Sequence, residues 1–239
     1  VKTINGTKHN FFLNESMIPS KTAFFLERGK LFFCVIVKHW LFNEDMIKAI
    51  IFDFDGVVLE SLDVKTNAFK KLYEPYGSGI SKKVVEHHIA NGGVSRFDKI
   101  KIYHKLFLGE DIDDKTLQTI AQNFSEMVVD EIIKVPFVDG AKQFIENNNR
   151  RYLMFISSAT PSDEINYICR QRKIANYFQG IFGSPDSKSK HISFIMGNWS
   201  LINREIVFIG DSPSDLNAAK THNLAFIARL SSVSNNLVN

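Results

Sequence analysis

Hydrophobic positions along the chain show two kinds of spacing, continuous short runs and helical periodicity. Short continuous apolar runs, bounded by Gly, Pro, Ser or Asp, are typical of buried strands. They lie at 49–54, 152–156, 206–209 and 224–228, with a weaker run near 178–182. Segments with helical spacing lie between them, at 140–147, 162–172, 190–200 and 215–222. Because strands that alternate with helices form parallel sheets, the pattern predicts an α/β fold with a doubly wound, Rossmann-like parallel sheet.

The stretch 65–135 has a different pattern, with apolar residues at helical intervals and no convincing strand. Ser81 and Ser95 each stand where a side chain could cap the start of a helix, and Asp113 or Asp114 stands at the start of a third. A purely helical block within an α/β pattern predicts an inserted all-α cap domain.

The predicted core domain is therefore made of 46–64 and 136–239, and the cap of 65–135. Segment 1–45 has no clear period apart from an apolar run at 31–37. Met46 stands shortly before the first strand, as an initiator often does in α/β proteins. We hypothesise that Met46 is the native start and that 1–45 is an N-terminal extension, either an alternative start or non-native sequence.

The composition of the chain argues against nucleic-acid binding, a membrane span and secretion. The chain has 239 residues, of which 44% are hydrophobic and 23% charged, with a formal charge of +3. The charge is small and unclustered, so nucleic acid is not an expected partner. The run at 31–37 is far shorter than the roughly 20 residues that span a bilayer, and no secretory signal is evident. Cys34 and Cys169 fit no metal or redox spacing, which favours reduced thiols in a cytoplasmic protein.

The most informative motif is Asp53-Phe54-Asp55-Gly56, directly after the first apolar run. It places two carboxylates at the carboxyl end of a strand, where open α/β sheets bind ligands. Two acids so close together are costly to ionise without a cation. Paired hard oxygens suit Mg²⁺, and Mg²⁺ suits phosphate. The alternative is an ordinary Asp-Gly turn with two solvated acids.

Other strands also end in residues that a phosphate enzyme could use. Ser157 follows the second strong strand, and Gly210-Asp211-Ser212-Pro213-Ser214-Asp215 follows the third, with Lys188 in a loop between them. Alone, the serine is more often a helix cap, the lysine a solvated charge and Asp215 a helix N-terminal acid. Their joint occurrence in this order favours a phosphate site.

On these residues the chain resembles the haloacid dehalogenase superfamily of phosphohydrolases, in the subgroup of phosphoglycolate phosphatases and β-phosphoglucomutases with a helical cap. The resemblance covers about 46–230. The four family motifs correspond in order to Asp53–Gly56, Ser157, Lys188 (with Lys190 as the competing choice) and Gly210–Asp215. The first and fourth motifs are specific; the second and third depend on order.

The resemblance implies catalytic roles for two acids. Asp53 would be the nucleophile that forms an aspartyl-phosphate intermediate. Asp55 would protonate the leaving group and then deprotonate water, which requires a raised pKa that the cap could provide by excluding water. An acid at Asp55 also indicates a phosphate ester, because a halide leaves without a proton.

The resemblance also implies a Mg²⁺ site and a phosphate site. Asp53, the backbone carbonyl of Asp55 and Asp211 would hold the ion, with Asp215 as a further ligand or support. Ser157 would donate a hydrogen bond to a phosphoryl oxygen. Lys188 would pair with the phosphate and the nucleophile.

The sequence therefore predicts a Mg²⁺-dependent phosphatase for a small phosphorylated metabolite. A phosphosugar mutase of the same fold and a catalytically silent binding or regulatory module remain alternatives. In the cap, Gly92-Gly93 could let backbone N–H groups approach an anion, and Arg96 could contact the non-phosphate part of the substrate. The alternative there is a plain loop with a solvated arginine. Oligomeric state is not predicted.

Overall fold

A computed structural model describes residues 46–229 and the backbone of 33–36. It contains a sheet with strand order β1-β6-β5-β2-β3-β4. The strands are β1 (Phe33–Ile36), β2 (Ala49–Phe52), β3 (Leu153–Pro161), β4 (Gly180–Ser184), β5 (Ile206–Gly210) and β6 (Ala225–Arg229). Neighbours among β2 to β6 pair in parallel, whereas β1 pairs antiparallel with β6. The predicted parallel α/β sheet is confirmed.

The edge strand β1 belongs to segment 1–45, which we predicted to be an extension. Its backbone pairs with β6 in the register Phe33 to Arg229 through Ile36 to Phe226. The rest of that segment, and with it the hypothesis about the native start, lies outside the described residues.

Helices cover both faces of the sheet, which confirms that it is doubly wound. The helices are α1 (Leu62–Tyr73), α2 (Ser78–Ala90), α3 (Arg96–Tyr103), α4 (Asp114–Lys134), α5 (Ala141–Asn148), α6 (Ser162–Gln171), α7 (Lys188–Asn198) and α8 (Pro213–Thr221). Successive residues of a strand point to opposite faces. Ile50 accordingly packs in one hydrophobic cluster with residues of α5 and α6, and Ile51 in another with residues of α7 and α8.

The helical insert, α1 to α4, lies between β2 and α5 and confirms the predicted cap. Its centre is aromatic: the ring of Phe69 lies 4.4 Å from that of Phe124 and 5.5 Å from that of Tyr103. These side chains are fully buried and belong to the same cluster as one face of the sheet. Burial of large rings contributes about 1.5–3 kcal/mol each. The cap is thus packed continuously with the core, while its bounds at 65 and 135 remain predictions.

Two of the three predicted helix caps are confirmed. The side chain of Ser95 accepts a hydrogen bond from the backbone of Asp98, and Asp113 accepts one from Thr116. The prediction for Ser81 is wrong, because α2 already begins after Gly77. The hydroxyl of Ser81 instead donates to a carbonyl of α1, 2.9 Å away, and so joins two cap helices.

Two features bear on the predictions about membranes and thiols. Within 46–229, no helix combines the length and apolar composition that a membrane span requires. Cys169 is a free, buried thiol, and burial raises its pKa to about 12. It is therefore a core residue without thiolate character, as predicted. The side chain of Cys34 lies outside the described residues.

Candidate active site

Four of the predicted site residues meet at the carboxyl end of β2. Lys188, in the first turn of α7, donates to an oxygen of Asp53 at 2.9 Å and also contacts Asp215. Carboxylate oxygens of Asp53, Asp211 and Asp215 lie within 4.8 Å of one another, and all three acids are buried. These residues follow different strands, so the parallel sheet brings them together as expected.

The buried acids strongly perturb one another. Burial and the neighbouring Asp215 raise the pKa of Asp53 to about 7, against the opposing effect of Lys188. Burial and the charges of Asp53 and Asp215 raise the pKa of Asp211 well above its ordinary value. Burial by itself would lower the pKa of Lys188, but the two carboxylates it contacts outweigh that effect and raise it. One lysine therefore does not balance three acids.

The donor set fits a hard divalent cation. Both oxygens of Asp215 are engaged, one by Lys188 and the other by the backbone N–H and hydroxyl of Ser212 at 3.1 and 2.5 Å. In the described part of the chain, no hydrogen-bond donor or cationic group contacts the carboxylate of Asp211. A buried carboxylate such as that of Asp211, which has no partner among the described residues and lies beside the carboxylate of Asp53, is typical of a Mg²⁺ site. Asp53 and Asp211 offer the available oxygens, and Asp215 holds Lys188 in place.

Gly56 makes room for this arrangement. It adopts a positive φ of 75°, and a side chain at this position would collide with the carboxylate of Asp211. The glycine of the first motif is therefore needed twice, for its backbone conformation and for the approach of the acid from β5.

Asp55 lies in a different environment, on the side facing the cap. Its carboxylate accepts hydrogen bonds from Lys65 at 2.5 Å, Ser61 at 2.6 Å and Thr160 at 3.1 Å. Burial raises the pKa of Asp55, but the charge of Lys65 and these hydrogen bonds outweigh it and leave the pKa below its ordinary value. The expectation of a raised pKa is wrong for this geometry, because the cap supplies a cation as well as excluding water.

Ser157 lies inside β3, beyond the end that we predicted for this strand at Ile156. Its side chain lies 2.8 Å from Nδ1 of His191, whose Nε2 lies 3.2 Å from the carbonyl of Gly183. Because a carbonyl only accepts, the ring proton is on Nε2 and the hydroxyl of Ser157 donates to Nδ1. Phosphate binding by Ser157 remains a prediction.

The two candidate lysines differ sharply. Lys188 is buried against the acids, whereas Lys190 is exposed and pairs with Asp186 at 3.1 Å. Only Lys188 is therefore placed to act on Asp53, although its contact with phosphate remains a prediction.

Arg96 is neither solvated nor free. Its guanidinium forms two hydrogen bonds to Glu164 of α6, at 2.9 and 2.5 Å, and contacts Ser125 of α4. It also stacks over the ring of Phe124 at 4.7 Å. Arg96 therefore joins the cap to the core, and the predicted substrate contact remains a prediction.

A cavity separates the acid cluster from the cap. The core contributes Asp53, Asp55 and Asp211 to its wall. The cap contributes residues of α1, α2, α3 and the loop between α2 and α3; they include Lys65, His88, Gly92, Gly93, Arg96 and Lys99. Apart from the glycines and Arg96, sequence reasoning missed these cap residues, because nothing in a helical repeat shows which face meets the cavity.

The glycine pair brings this loop against the core. Gly93 has a φ of 74°, and a side chain there would collide with the hydroxyls of Ser212 and Ser214. The pair therefore serves a close contact between cap and core; an approach of its N–H groups to an anion remains a prediction.

Comparison with known proteins identifies the family. The family model for haloacid dehalogenase-like hydrolases matches residues 50–229, about three quarters of the chain. The chain belongs to the haloacid dehalogenase-like hydrolases. The predicted family and enzyme class are thus confirmed. A search of curated proteins gave no match.

Solved structures of haloacid dehalogenase-like proteins share the fold. A predicted phosphoglycolate phosphatase from Haemophilus somnus is 17% identical, with a TM-score of 0.60 over 76% of this chain and 84% of that one. A protein named as a β-phosphoglucomutase from Bacteroides vulgatus is 17% identical, with a TM-score of 0.61 over 75% and 74%. A Bacillus subtilis hydrolase of this type, bound to magnesium, is 16% identical, with a TM-score of 0.57 over 75% and 87%.

Proposed function

We propose that this protein is a Mg²⁺-dependent phosphatase that hydrolyses a small phosphorylated metabolite through an aspartyl-phosphate intermediate. One observation carries the proposal: Asp53 contacts Lys188 and lies within 4.8 Å of Asp211 and Asp215, at a cavity that Asp55 also lines. A nucleophile, a cation and a divalent-ion site at one point match the needs of phosphoryl transfer.

Asp53 attacks the phosphorus atom, and the bond from phosphorus to the ester oxygen breaks. A carboxylate repels the anionic phosphate, so positive charge must lie next to both. Lys188 supplies one such charge. Asp53 and Asp211 would hold Mg²⁺, which supplies further charge compensation when bound.

Asp55 and Lys65 act together on the leaving oxygen. In the arrangement described, the carboxylate of Asp55 has a pKa below its ordinary value and accepts a hydrogen bond from Nζ of Lys65, 2.5 Å away. The departing oxygen takes a proton from this pair. In the second half of the reaction Asp55 accepts a proton from the water that attacks the phosphorus of the intermediate, and phosphate and free Asp53 result.

The test is phosphate release from a panel of phosphorylated sugars, nucleotides and small acids, together with an aryl phosphate. Each assay is run with Mg²⁺, with a chelator, and with Asp53→Asn. We expect release that requires Mg²⁺ and is lost in Asp53→Asn, and an acid-labile phosphoenzyme in rapid-quench samples of the wild type. Asp130→Asn, an exposed acid of α4, is the matched control.

Each other outcome contradicts the proposal in its own way. Release that survives Asp53→Asn or chelation would exclude the mechanism. Isomerisation of a phosphosugar without net release would indicate the mutase. A folded protein that binds phosphate esters but forms no phosphoenzyme would indicate a binding module. The cytoplasmic location is part of the same proposal, since phosphorylated metabolites are found there.

A further inference from the structure

The cationic side chains in the wall of the cavity differ in whether a carboxylate of the protein pairs with them. Lys65 is paired with Asp55 at 2.5 Å, and Arg96 with Glu164 at 2.5 and 2.9 Å. These two cap residues therefore have their countercharge within the protein. Lys99, one turn after Arg96 on α3, does not: within residues 46–229, no carboxylate forms an ion pair with it.

Lys99 is nevertheless deeply buried, with 2% of its surface exposed. Its ammonium lies 2.9 Å from Nδ1 of His88 and 3.4 Å from the carbonyl of the same residue. It also lies 5.9 Å from the centre of the Phe69 ring. Burial and the nearby Lys99 hold the pKa of His88 well below its ordinary value, so the imidazole is neutral and accepts from the lysine. None of these partners carries a negative charge.

A buried ammonium without a counterion is costly. Burial and the charge of Lys65 lower the pKa of Lys99 to about 7, and the charge of Asp55, which is itself paired with Lys65, opposes this only in part. An anion that entered the cavity and met Lys99 would offset this cost and keep the lysine protonated. The geometry is therefore that of a preformed anion site, since no carboxylate of residues 46–229 is paired with Lys99.

The phosphoryl group is not the natural occupant of this position. Its place is set by Asp53 and Lys188 at the end of β2, whereas Lys99 belongs to the opposite, cap wall of the same cavity. A substrate held at both walls must present a second group to the cap. Because the ammonium of Lys99 is positively charged, we expect this second group to be anionic.

We infer that Lys99 is the anion subsite of the cap, and that the preferred substrate carries a second anionic group, a carboxylate or another phosphate, besides the phosphoryl group that is removed. This inference rests on the proposed phosphatase function and adds the class of substrate to it.

The test compares matched pairs of phosphate esters. 3-Phosphoglycerate is set against glycerol 3-phosphate, and 6-phosphogluconate against glucose 6-phosphate, to examine a carboxylate at two lengths. Fructose 1,6-bisphosphate against fructose 6-phosphate examines a second phosphate. The measured quantity is the ratio of kcat/KM within each pair, in the wild type, Lys99→Met, Lys99→Arg and Lys101→Met. Met keeps the length of the lysine stem, and Lys101 is an exposed lysine of the same helix.

We expect the wild type to favour the anionic member of at least one pair by about 10- to 100-fold, the usual effect of a charged hydrogen bond. In Lys99→Met this preference falls close to one, whereas Lys99→Arg retains part of it and Lys101→Met all of it. The pair that shows the preference distinguishes a carboxylate from a phosphate. A wild type without preference in any pair, or a Lys99→Met variant that keeps it, would overturn the inference.

Failure of the inference is kept apart from failure of the proposed function by a binding measurement. Calorimetric titration of Asp53→Asn with 3-phosphoglycerate, 6-phosphogluconate and fructose 1,6-bisphosphate, each beside its partner ester, needs no turnover. Binding that favours the anionic members and is weakened about tenfold or more by adding Lys99→Met supports the subsite even if no ester is hydrolysed. Hydrolysis without such a binding difference would leave the phosphatase and remove the subsite.

Discussion

The two walls of the cavity differ in how their chemistry is encoded. The core wall takes its residues from the ends of parallel strands, and its three acids belong to short contiguous motifs. The cap wall takes Lys65, His88 and Lys99 from three different helices, at positions that no motif marks. A strand end has one fixed place in the sheet, whereas the face that a helix presents depends on its neighbours. We therefore expect the core wall to determine the class of reaction and the cap wall the choice of substrate.

The walls also differ in charge. The core wall gathers acids around a single lysine, and the cap wall presents cations. Two ion pairs join the cap to the core, one from Lys65 to Asp55 and one from Arg96 to Glu164 of α6. The acids of the core wall therefore face the cations of the cap wall across the cavity.

The largest effect is expected from a substitution in the core wall at Asp53, the proposed nucleophile. Asp53→Asn keeps the shape of the side chain but removes its nucleophilic oxygen, so we expect kcat to fall on the order of 10⁴-fold or more. Phosphate release under saturating substrate measures the loss. A variant that retained a tenth of the activity, with an unchanged unfolding midpoint, would show that Asp53 is not the nucleophile.

The second prediction compares two lysines of the first turn of α7. Lys188→Met leaves Asp53 and Asp215 buried without their cation, which costs about 3–5 kcal/mol of unfolding free energy. Lys190→Met removes an exposed pair and changes it by less than about 0.5 kcal/mol. Urea unfolding in the presence of chelator measures both. Equal effects of the two substitutions would contradict the assignment of Lys188.

The third prediction tests the contact between the walls. Gly93→Ala places a methyl group against Ser212 and Ser214, so the cap cannot reach its place, and we expect kcat/KM to fall about 10- to 100-fold. Gly109→Ala is the matched control: it has a φ of 75°, close to that of Gly93, but an added side chain there meets no atom within 4 Å. Both variants have the same backbone strain, of about 1–2 kcal/mol. If Gly109→Ala lost as much activity, strain and not closure would be the cause.

The smallest expected effect is a change in the pH dependence of stability that arises from Lys99 in the cap wall. Lys99 faces His88 from α2, Lys65 from α1 and Asp55 from the core, and its pKa in the folded protein is about 7 against an ordinary value of 10.5. Between these values the unfolded chain binds more protons than the native one, so this group makes the protein more stable as the pH rises.

We expect the unfolding free energy of the wild type to gain about 2 kcal/mol from Lys99 between pH 7 and pH 9. Lys99→Met lacks this gain because it has no ammonium to bury, so the two curves lie furthest apart at low pH and converge towards high pH. Urea midpoints at several pH values measure the difference, with Lys101→Met as a control expected to run parallel to the wild type. Parallel curves for Lys99→Met would show that the lysine is not perturbed.

The sequence by itself determined the alternation of strands and helices, the helical insert, and the placement of Asp53, Asp55, Asp211 and Lys188. It could do so because strand ends and turn residues are local, and a parallel sheet brings all its carboxyl ends to one edge. The tertiary structure alone decided which residues of the cap face the acids of the core across the cavity, and which charges pair there. Lys65 of α1 reaches Asp55 and Thr160 of β3, which inverts the expected direction of the pKa of Asp55. Packing of α3 binds Arg96 to Glu164 and leaves Lys99 without an ion pair to any described carboxylate. A charge is neutralised or left alone by residues that are distant in the chain, and no local pattern carries that information.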